Sequence, residues 1–168
     1  MGEAEARPFL EEGEHHLRSG DFAAAERAFL RAVEATPESA VAHSKLGVAV
    51  AEQGRLDEAI GHFSHAIALQ PRYAPAYSNL GNVYKGKGML EEALAAYERA
   101  VAIDPEYWVA HQNLGILYKQ VGRVGDAVDH FKKATRLSVR KPTARGRVGC
   151  LAPAALIGGM LLFGLLAR

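Results

Sequence analysis

Apolar side chains recur along this chain at intervals of three and four residues, with polar side chains between them. One such set is Ala25, Phe29 and Ala32, and it returns at three later points: Ala59, Phe63 and Ala66; Ala93, Tyr97 and Ala100; Ala127, Phe131 and Ala134. The spacing i, i+4, i+7 places the members of a set on one face of an α-helix. The pattern therefore predicts a series of amphipathic helices.

These sets repeat with a fixed step of 34 residues. Two series of glycines keep the same step: Gly13, Gly47, Gly81 and Gly115, and Gly20, Gly54, Gly88 and Gly122. Prolines close three of the four units: Pro37, Pro71 and Pro105. We interpret each unit as two helices of about 14 residues. The break falls at the second glycine series, where a left-handed residue ends the first helix, and the proline stops the second helix.

The third unit carries the fullest form of the pattern, with Tyr77, Leu80, Gly81 and Tyr84 in its first half. Together with the later alanine, aromatic residue and proline, this pattern resembles the tetratricopeptide repeat family. The resemblance implies an all-α, right-handed superhelical solenoid of four helix-turn-helix repeats. The repeats are residues 6–39, 40–73, 74–107 and 108–141, and the whole domain is 6–141. One hairpin cannot bury its apolar face alone, so stacking supplies the core.

A segment of different character follows the repeats. The expected proline is missing at Val139, and residues 138–147 read as a basic linker, of which 142–147 lie beyond the fourth unit. Residues 148–167 then contain no charge. Twenty helical residues span about 30 Å, the thickness of a bilayer's hydrocarbon core. The pattern predicts a C-terminal transmembrane tail anchor. The alternative is an extra helix that caps the array, but a cap needs a polar outer face and this segment has none.

Charge is divided sharply between the two ends of the chain. The formal net charge is +1, yet residues 1–129 carry −7 and residues 130–168 carry +8. Cations before the uncharged segment, against Arg168 alone after it, predict that the repeats face the cytoplasm. The cations nearest the predicted membrane favour anionic lipid headgroups: Arg140, Lys141, Arg145 and Arg147. No aromatic residue interrupts 138–147, so we do not expect a nucleic-acid partner. Small residues at Ala154 and Gly158 would let two anchors pack together.

Residue combinations that carry catalysis are missing from the sequence. It has no phosphate-binding loop, dinucleotide fingerprint, nucleophile elbow or zinc-protease motif, so we expect no enzyme activity and no cofactor. The single cysteine, Cys150, excludes an internal disulfide and a multi-cysteine zinc site. His62 and His65 are three residues apart on one predicted helix, but the sequence offers no evident third metal ligand. Solvated histidines are the simpler interpretation, and no metal site is predicted.

The resemblance places ligand contacts on a concave groove lined by the first helix of each unit. The candidate residues are Lys45 in the second unit, Ser78, Asn79, Asn82 and Lys85 in the third, and Gln112, Asn113 and Lys119 in the fourth. Side-chain amides can bond a peptide backbone as donor and as acceptor. The lysines favour acidic or polar peptides, the alternative being that they are merely solvated.

Three functions remain open from the sequence. The leading hypothesis is a non-enzymatic adaptor or scaffold that binds a peptide or protein in the groove and tethers it to a membrane. One alternative is a recruiting subunit of a larger enzyme or assembly. The run Asn79 to Tyr84 resembles the repeat region of the nucleocytoplasmic glycosyltransferase, although no catalytic domain follows here. A further alternative is a soluble hub whose apolar tail packs on a partner.

Overall fold

The computed structural model of the protein describes residues 2–140, and within that range the chain forms eight α-helices and no strand. The helices are α1 Gly2–Ser19, α2 Phe22–Ala35, α3 Ala40–Glu52, α4 Leu56–Leu69, α5 Ala74–Gly86, α6 Leu90–Ile103, α7 Trp108–Gln120 and α8 Val124–Arg140. The predicted all-α solenoid of helical hairpins is confirmed. The exact boundaries of the four units stay a prediction.

The predicted membrane segment at 148–167 and the linker 142–147 lie outside the described residues, as do Lys141, Arg145 and Arg147. Across 2–140, none of the helices combines the length and the apolar character that crossing a bilayer requires.

Each hairpin turns at the predicted glycine. Gly88, between α5 and α6, has φ 77°, and its three equivalents have the same left-handed backbone. A side chain with a Cβ rarely adopts this conformation, which explains why glycine stands at every such turn. Helices α2 and α3 also begin at a polar cap. The Asp21 side chain accepts a hydrogen bond from the Ala24 amide before α2, and the Ser39 side chain accepts one from the Ala42 amide before α3.

The end of α8 differs from the prediction. Helices α4 and α6 end at Leu69 and Ile103, two residues before the proline that closes each unit. In the fourth unit Val139 occupies the position of this proline. Because valine has a backbone N–H that can continue the helical hydrogen bonds, α8 extends to Arg140. The interpretation of residues 138–140 as linker was therefore wrong, and Arg140 lies on the last turn of α8.

Pairing within a hairpin depends on a glycine facing an aromatic ring. A Cβ added to Gly81 on α5 would lie 2.6 Å from the Tyr97 ring on α6, and one on Gly115 would lie 2.7 Å from Phe131. Such distances are far below van der Waals contact, so only glycine lets the two helices approach this closely. Tyr97 is completely buried in the resulting core.

Successive helices pack against one another along the whole stack, and the first helices also touch their own equivalents. Contacts join α1 to α3, α3 to α5 and α5 to α7. Among the helices of 2–140, the second helices make no comparable contact with each other. The first helices are therefore the more crowded side of the stack, which identifies them as the lining of its inner face.

A hydrogen bond across each unit boundary recurs in three units. The aromatic position near the start of each first helix is bonded to the carbonyl of the preceding unit's proline: His43 to Pro37 at 2.9 Å, Tyr77 to Pro71 at 3.4 Å, and His111 to Pro105 at 3.1 Å. His111 is buried and His43 is half-buried. Each bond connects the turn between two units to the first helix of the next hairpin.

Candidate functional site

The structure brings the predicted groove residues onto the inner-face helices. On α5, Ser78, Asn82 and Lys85 follow one another at i, i+4 and i+7, which aligns them along one stripe. On α7, Gln112 and Lys119 follow the same spacing. We call this surface of α3, α5 and α7 the inner face. The predicted residues differ greatly in how much of each side chain solvent can reach.

Ser78 and Asn113 join α5 to α7. The side-chain amide of Asn113 donates to the Ser78 hydroxyl at 3.3 Å. Ser78 is completely buried and Asn113 is nearly so. This bond satisfies polar atoms that the close approach of the two helices removes from water. In this arrangement the pair forms the floor of the inner face and sets the spacing of the two helices.

Asn79 and Asn82 carry polar atoms that are not satisfied within the described residues. The Tyr97 hydroxyl donates to Asn82 Oδ1 at 2.6 Å, which fixes the orientation of that amide. Asn82 Nδ2 and Asn79 Oδ1 are buried and have no hydrogen-bond partner in the part of the chain that the structure describes. An unpaired buried donor or acceptor costs about 1–3 kcal/mol. One donor and one acceptor on α5 are thus unpaired and buried within the described residues.

Lys45 on α3 is paired inside the array. Its Nζ lies 3.0 Å from Glu14 Oε1 on α1, and its side chain is only 10% exposed. The charge of Lys45 is therefore compensated by the first unit. Glu14 was not predicted as a partner of Lys45, because the two residues meet only through the packing of α1 against α3.

Lys85 on α5 is a cation of the inner face without an ion-pair partner among the described residues. It is half-buried, and burial lowers the pKa of its amino group. Lys119 and Gln112 on α7 are exposed. Glu52 at the end of α3 is also half-buried, and burial raises the pKa of its carboxyl. Glu52 was not predicted from the sequence.

The histidines lie closer together than the sequence indicated. The ring of His43 on α3 lies 4.2 Å from that of His65 and 6.3 Å from that of His62, both on α4. Burial lowers the pKa of His43 and of His62. No group of three or more ligating side chains within the described residues has an arrangement that could hold a metal ion.

Comparison with known proteins identifies the family. Models of the tetratricopeptide repeat match residues 10–74, 74–107 and 96–129. The solved structure of MamA is 32% identical, with a TM-score of 0.67, and the match covers 82% of this chain and 80% of that one. The chain belongs to the tetratricopeptide repeat family.

Other solved structures are similar in fold. Pseudomonas aeruginosa PilF is 25% identical with a TM-score of 0.74, over 83% of this chain and 64% of that one. The first repeat domain of Spaghetti (RPAP3), bound to the HSP90 peptide SRMEEVD, is 24% identical with a TM-score of 0.64, over 71% and 94%. Comparison with curated protein sequences gave no significant match.

The family has a known general role. Tetratricopeptide repeats mediate protein–protein interaction by binding peptides or protein partners, and the fold is typically a scaffold rather than an enzyme. The inner face of α3, α5 and α7 is therefore the candidate functional site.

Proposed function

We propose that this tetratricopeptide repeat protein is an adaptor that binds an extended peptide segment of a partner protein on the inner face and holds it at a membrane. The observation that supports peptide binding is a group of polar side chains on α5. Lys85 is half-buried and has no ion-pair partner among the described residues, and Asn79 and Asn82 each have one amide atom without a hydrogen-bond partner there. A peptide backbone supplies both a donor and an acceptor for the amides, and an acidic side chain or carboxylate supplies the counter-charge for the lysine.

The buried floor supports this choice of ligand. Ser78 and Asn113 are already bonded to each other, and Lys45 is neutralised by Glu14. The remaining cations, Lys85 and Lys119, are on neighbouring first helices at equivalent positions. Their alignment along the stack suits an extended chain with acidic or polar side chains better than a small globular ligand.

The membrane half of the proposal comes from the chain beyond α8. Residues 148–167 have the length and composition of a single transmembrane helix, and Arg140, Lys141, Arg145 and Arg147 precede it. In this proposal the repeats face the cytoplasm. Confinement to a membrane raises the effective concentration of a bound partner without any new contact.

Affinity capture with the full-length chain, solubilised from its native membrane, tests the binding half. The variant Lys85→Glu/Lys119→Glu should lose the captured partners. The matched control Arg27→Glu/Arg99→Glu makes the same change of charge at exposed positions on α2 and α6 and should keep them. Retention of the same partners by the first variant, or equal loss by both, would contradict the proposed groove.

Fractionation tests the tether. The full-length chain should stay in the membrane pellet after a high-salt wash, and a chain lacking residues 148–168 should move to the supernatant. Protease added from the cytoplasmic side should degrade the repeats. Recovery of the full-length chain in the supernatant would overturn the tether and leave the peptide-binding half untouched.

A further inference from the structure

Lys85 and Lys119 occupy the same place on two neighbouring helices of the inner face, and we call them the lysine pair. Each is the twelfth residue of a 13-residue first helix, Ala74–Gly86 in α5 and Trp108–Gln120 in α7. They are one repeat of 34 residues apart. Equivalent residues of neighbouring units are separated by one step of the stack, so the spacing of α5 and α7 sets the spacing of the lysine pair.

Helices α5 and α7 contact each other directly. Their backbones approach closely, and the Asn113 side chain on α7 donates a hydrogen bond to Ser78 on α5 at 3.3 Å. Helices packed side by side have axes about 8–10 Å apart. The two lysine side chains therefore leave the inner face at points separated by about the same distance.

The lysine pair is not neutralised within the described residues. Neither amino group takes part in an ion pair there. Lys85 is half-buried, so its side chain has fewer directions in which to extend, and Lys119 is exposed. The equivalent residues of the first two units are Leu17 and Ala51, which carry no charge. The inner face therefore presents two positive charges at one separation, which suits a ligand with two carboxylates at the same separation.

This separation distinguishes between the extended conformations of a peptide. In a β-strand, side chains on one face are two or four residues apart, which corresponds to about 7 Å or about 13 Å. A polyproline II helix has about three residues per turn and rises about 3.1 Å per residue, so every third side chain lies on one face at a spacing of about 9 Å. Of these spacings, that of polyproline II matches the distance between packed helices.

We infer that the inner face binds a segment in the polyproline II conformation that carries two acidic side chains three residues apart, one contacting Lys85 and the other Lys119. The inference rests on the proposed function, because it specifies the peptide that the adaptor binds. Proline between and around the acidic residues sets the conformation before binding, so less conformational entropy is lost on the inner face.

An α-helical ligand is the main competitor. Side chains seven residues apart lie on one face of an α-helix and are about 10.5 Å apart along its axis. A helix must therefore be at least two turns long to reach both lysines, and isolated helices of that length are marginal in water. Polyproline II needs only four residues for the same span and is already a major conformer of unfolded chains.

Fluorescence anisotropy with synthetic peptides and the full-length chain tests the inference. Three labelled, proline-rich peptides of identical composition carry two glutamates that are two, three or four residues apart. The peptide with glutamates three residues apart should bind at least about threefold more tightly than the other two. Lys119→Ala should remove this preference, because only one glutamate then has a cation to contact. The control Arg99→Ala changes an exposed arginine on α6 and should keep the preference.

The other outcomes separate this inference from the proposed function. Equal affinities, tightest binding at two or four residues, or a preference that Lys119→Ala leaves intact would overturn the three-residue register and keep peptide binding. An alanine-rich peptide with glutamates seven residues apart that binds as tightly would overturn polyproline II in favour of an α-helix. If no glutamate peptide binds more tightly than its glutamine counterpart, the proposed binding of acidic segments is itself contradicted.

Discussion

The Nδ1 atoms of His111 on α7 and His130 on α8 lie 2.9 Å apart, in hydrogen-bond contact. The other ring nitrogen of His111 faces the Pro105 carbonyl at 3.1 Å and must donate to it. In the neutral ring Nδ1 is then the acceptor, and His130 donates. Burial is the main cause that lowers the pKa of both histidines, and nearby Lys133 lowers both further.

This arrangement predicts that the array loses stability in mild acid. Because the folded-state pKa values of His111 and His130 lie below the unfolded value of about 6.5, the unfolded chain binds more protons as the pH falls below that value. The stabilisation is complete above about pH 6.5 and is lost as the pH falls toward the folded pKa values. The slope is at most about 1.4 kcal/mol per pH unit for each histidine that stays neutral. Urea unfolding at pH 7.5 and pH 5.5 measures it.

A variant of His130 tests whether this histidine pair causes the loss of stability in mild acid. His130→Gln keeps an amide donor for His111 but cannot be protonated, so the loss of stability between pH 7.5 and 5.5 should become smaller than in the wild type. The control His15→Gln changes an exposed histidine on α1 and should keep the wild-type difference. An unchanged pH dependence in His130→Gln would show that the pair is not its source.

The 34-residue period predicted the fold because the residues that end the helices and let them pack closely recur in each unit. Both glycine series are visible in the sequence. The glycine that ends each first helix has the predicted left-handed backbone, as at Gly88, and the other series supplies the glycine under each aromatic ring, as at Gly81. The end of α8 was not predicted, since the missing proline was interpreted as the start of a linker. Without that proline nothing stops the helix at the usual place, and it continues to Arg140.

The candidate site was less predictable because its contacts join different helices. The sequence predicted that Lys45 and Ser78 lie on the inner face. It did not predict the ion pair of Lys45 with Glu14 or the hydrogen bond from Asn113 to Ser78. The contact between His111 and His130 likewise depends on how α7 and α8 cross. Such pairs are set by inter-helix distance, which the spacing along one helix does not determine.

Gly81 should not tolerate even one added methyl group. In Gly81→Ala the new Cβ would lie 2.6 Å from the fully buried ring of Tyr97. The overpacking costs about 1–3 kcal/mol and outweighs the gain in helix propensity of up to about 1 kcal/mol. The control Gly61→Ala lies on exposed α4 surface with no atom near its Cβ, and it should stabilise by about 0.5–1 kcal/mol. Urea unfolding measures both, and equal effects would contradict the close approach.

Loss of an aromatic ring should cost less at the end of the array than inside it. Phe63 is completely buried, so Phe63→Ala should destabilise by about 3–5 kcal/mol. Phe131 is half-buried in the described residues, and the same change should cost about half as much. Urea unfolding compares the two variants in chains that lack residues 141–168. The same two variants are also measured in the full-length chain. Equal costs in the shortened chains would contradict the partial exposure of Phe131 on α8.

Lys45 should contribute to stability through Glu14. Glu14→Gln leaves the buried Lys45 ammonium without its counter-charge and should destabilise by about 1–3 kcal/mol. The control Glu11→Gln removes a carboxylate from the same helix, but its partner Arg7 is at the surface, so the change should be within about 0.5 kcal/mol. Glu14→Gln/Lys45→Met removes both charges and should recover part of the loss. If Glu14→Gln is as mild as Glu11→Gln, Lys45 is not held by this pair and its ammonium is free to meet a ligand on the inner face.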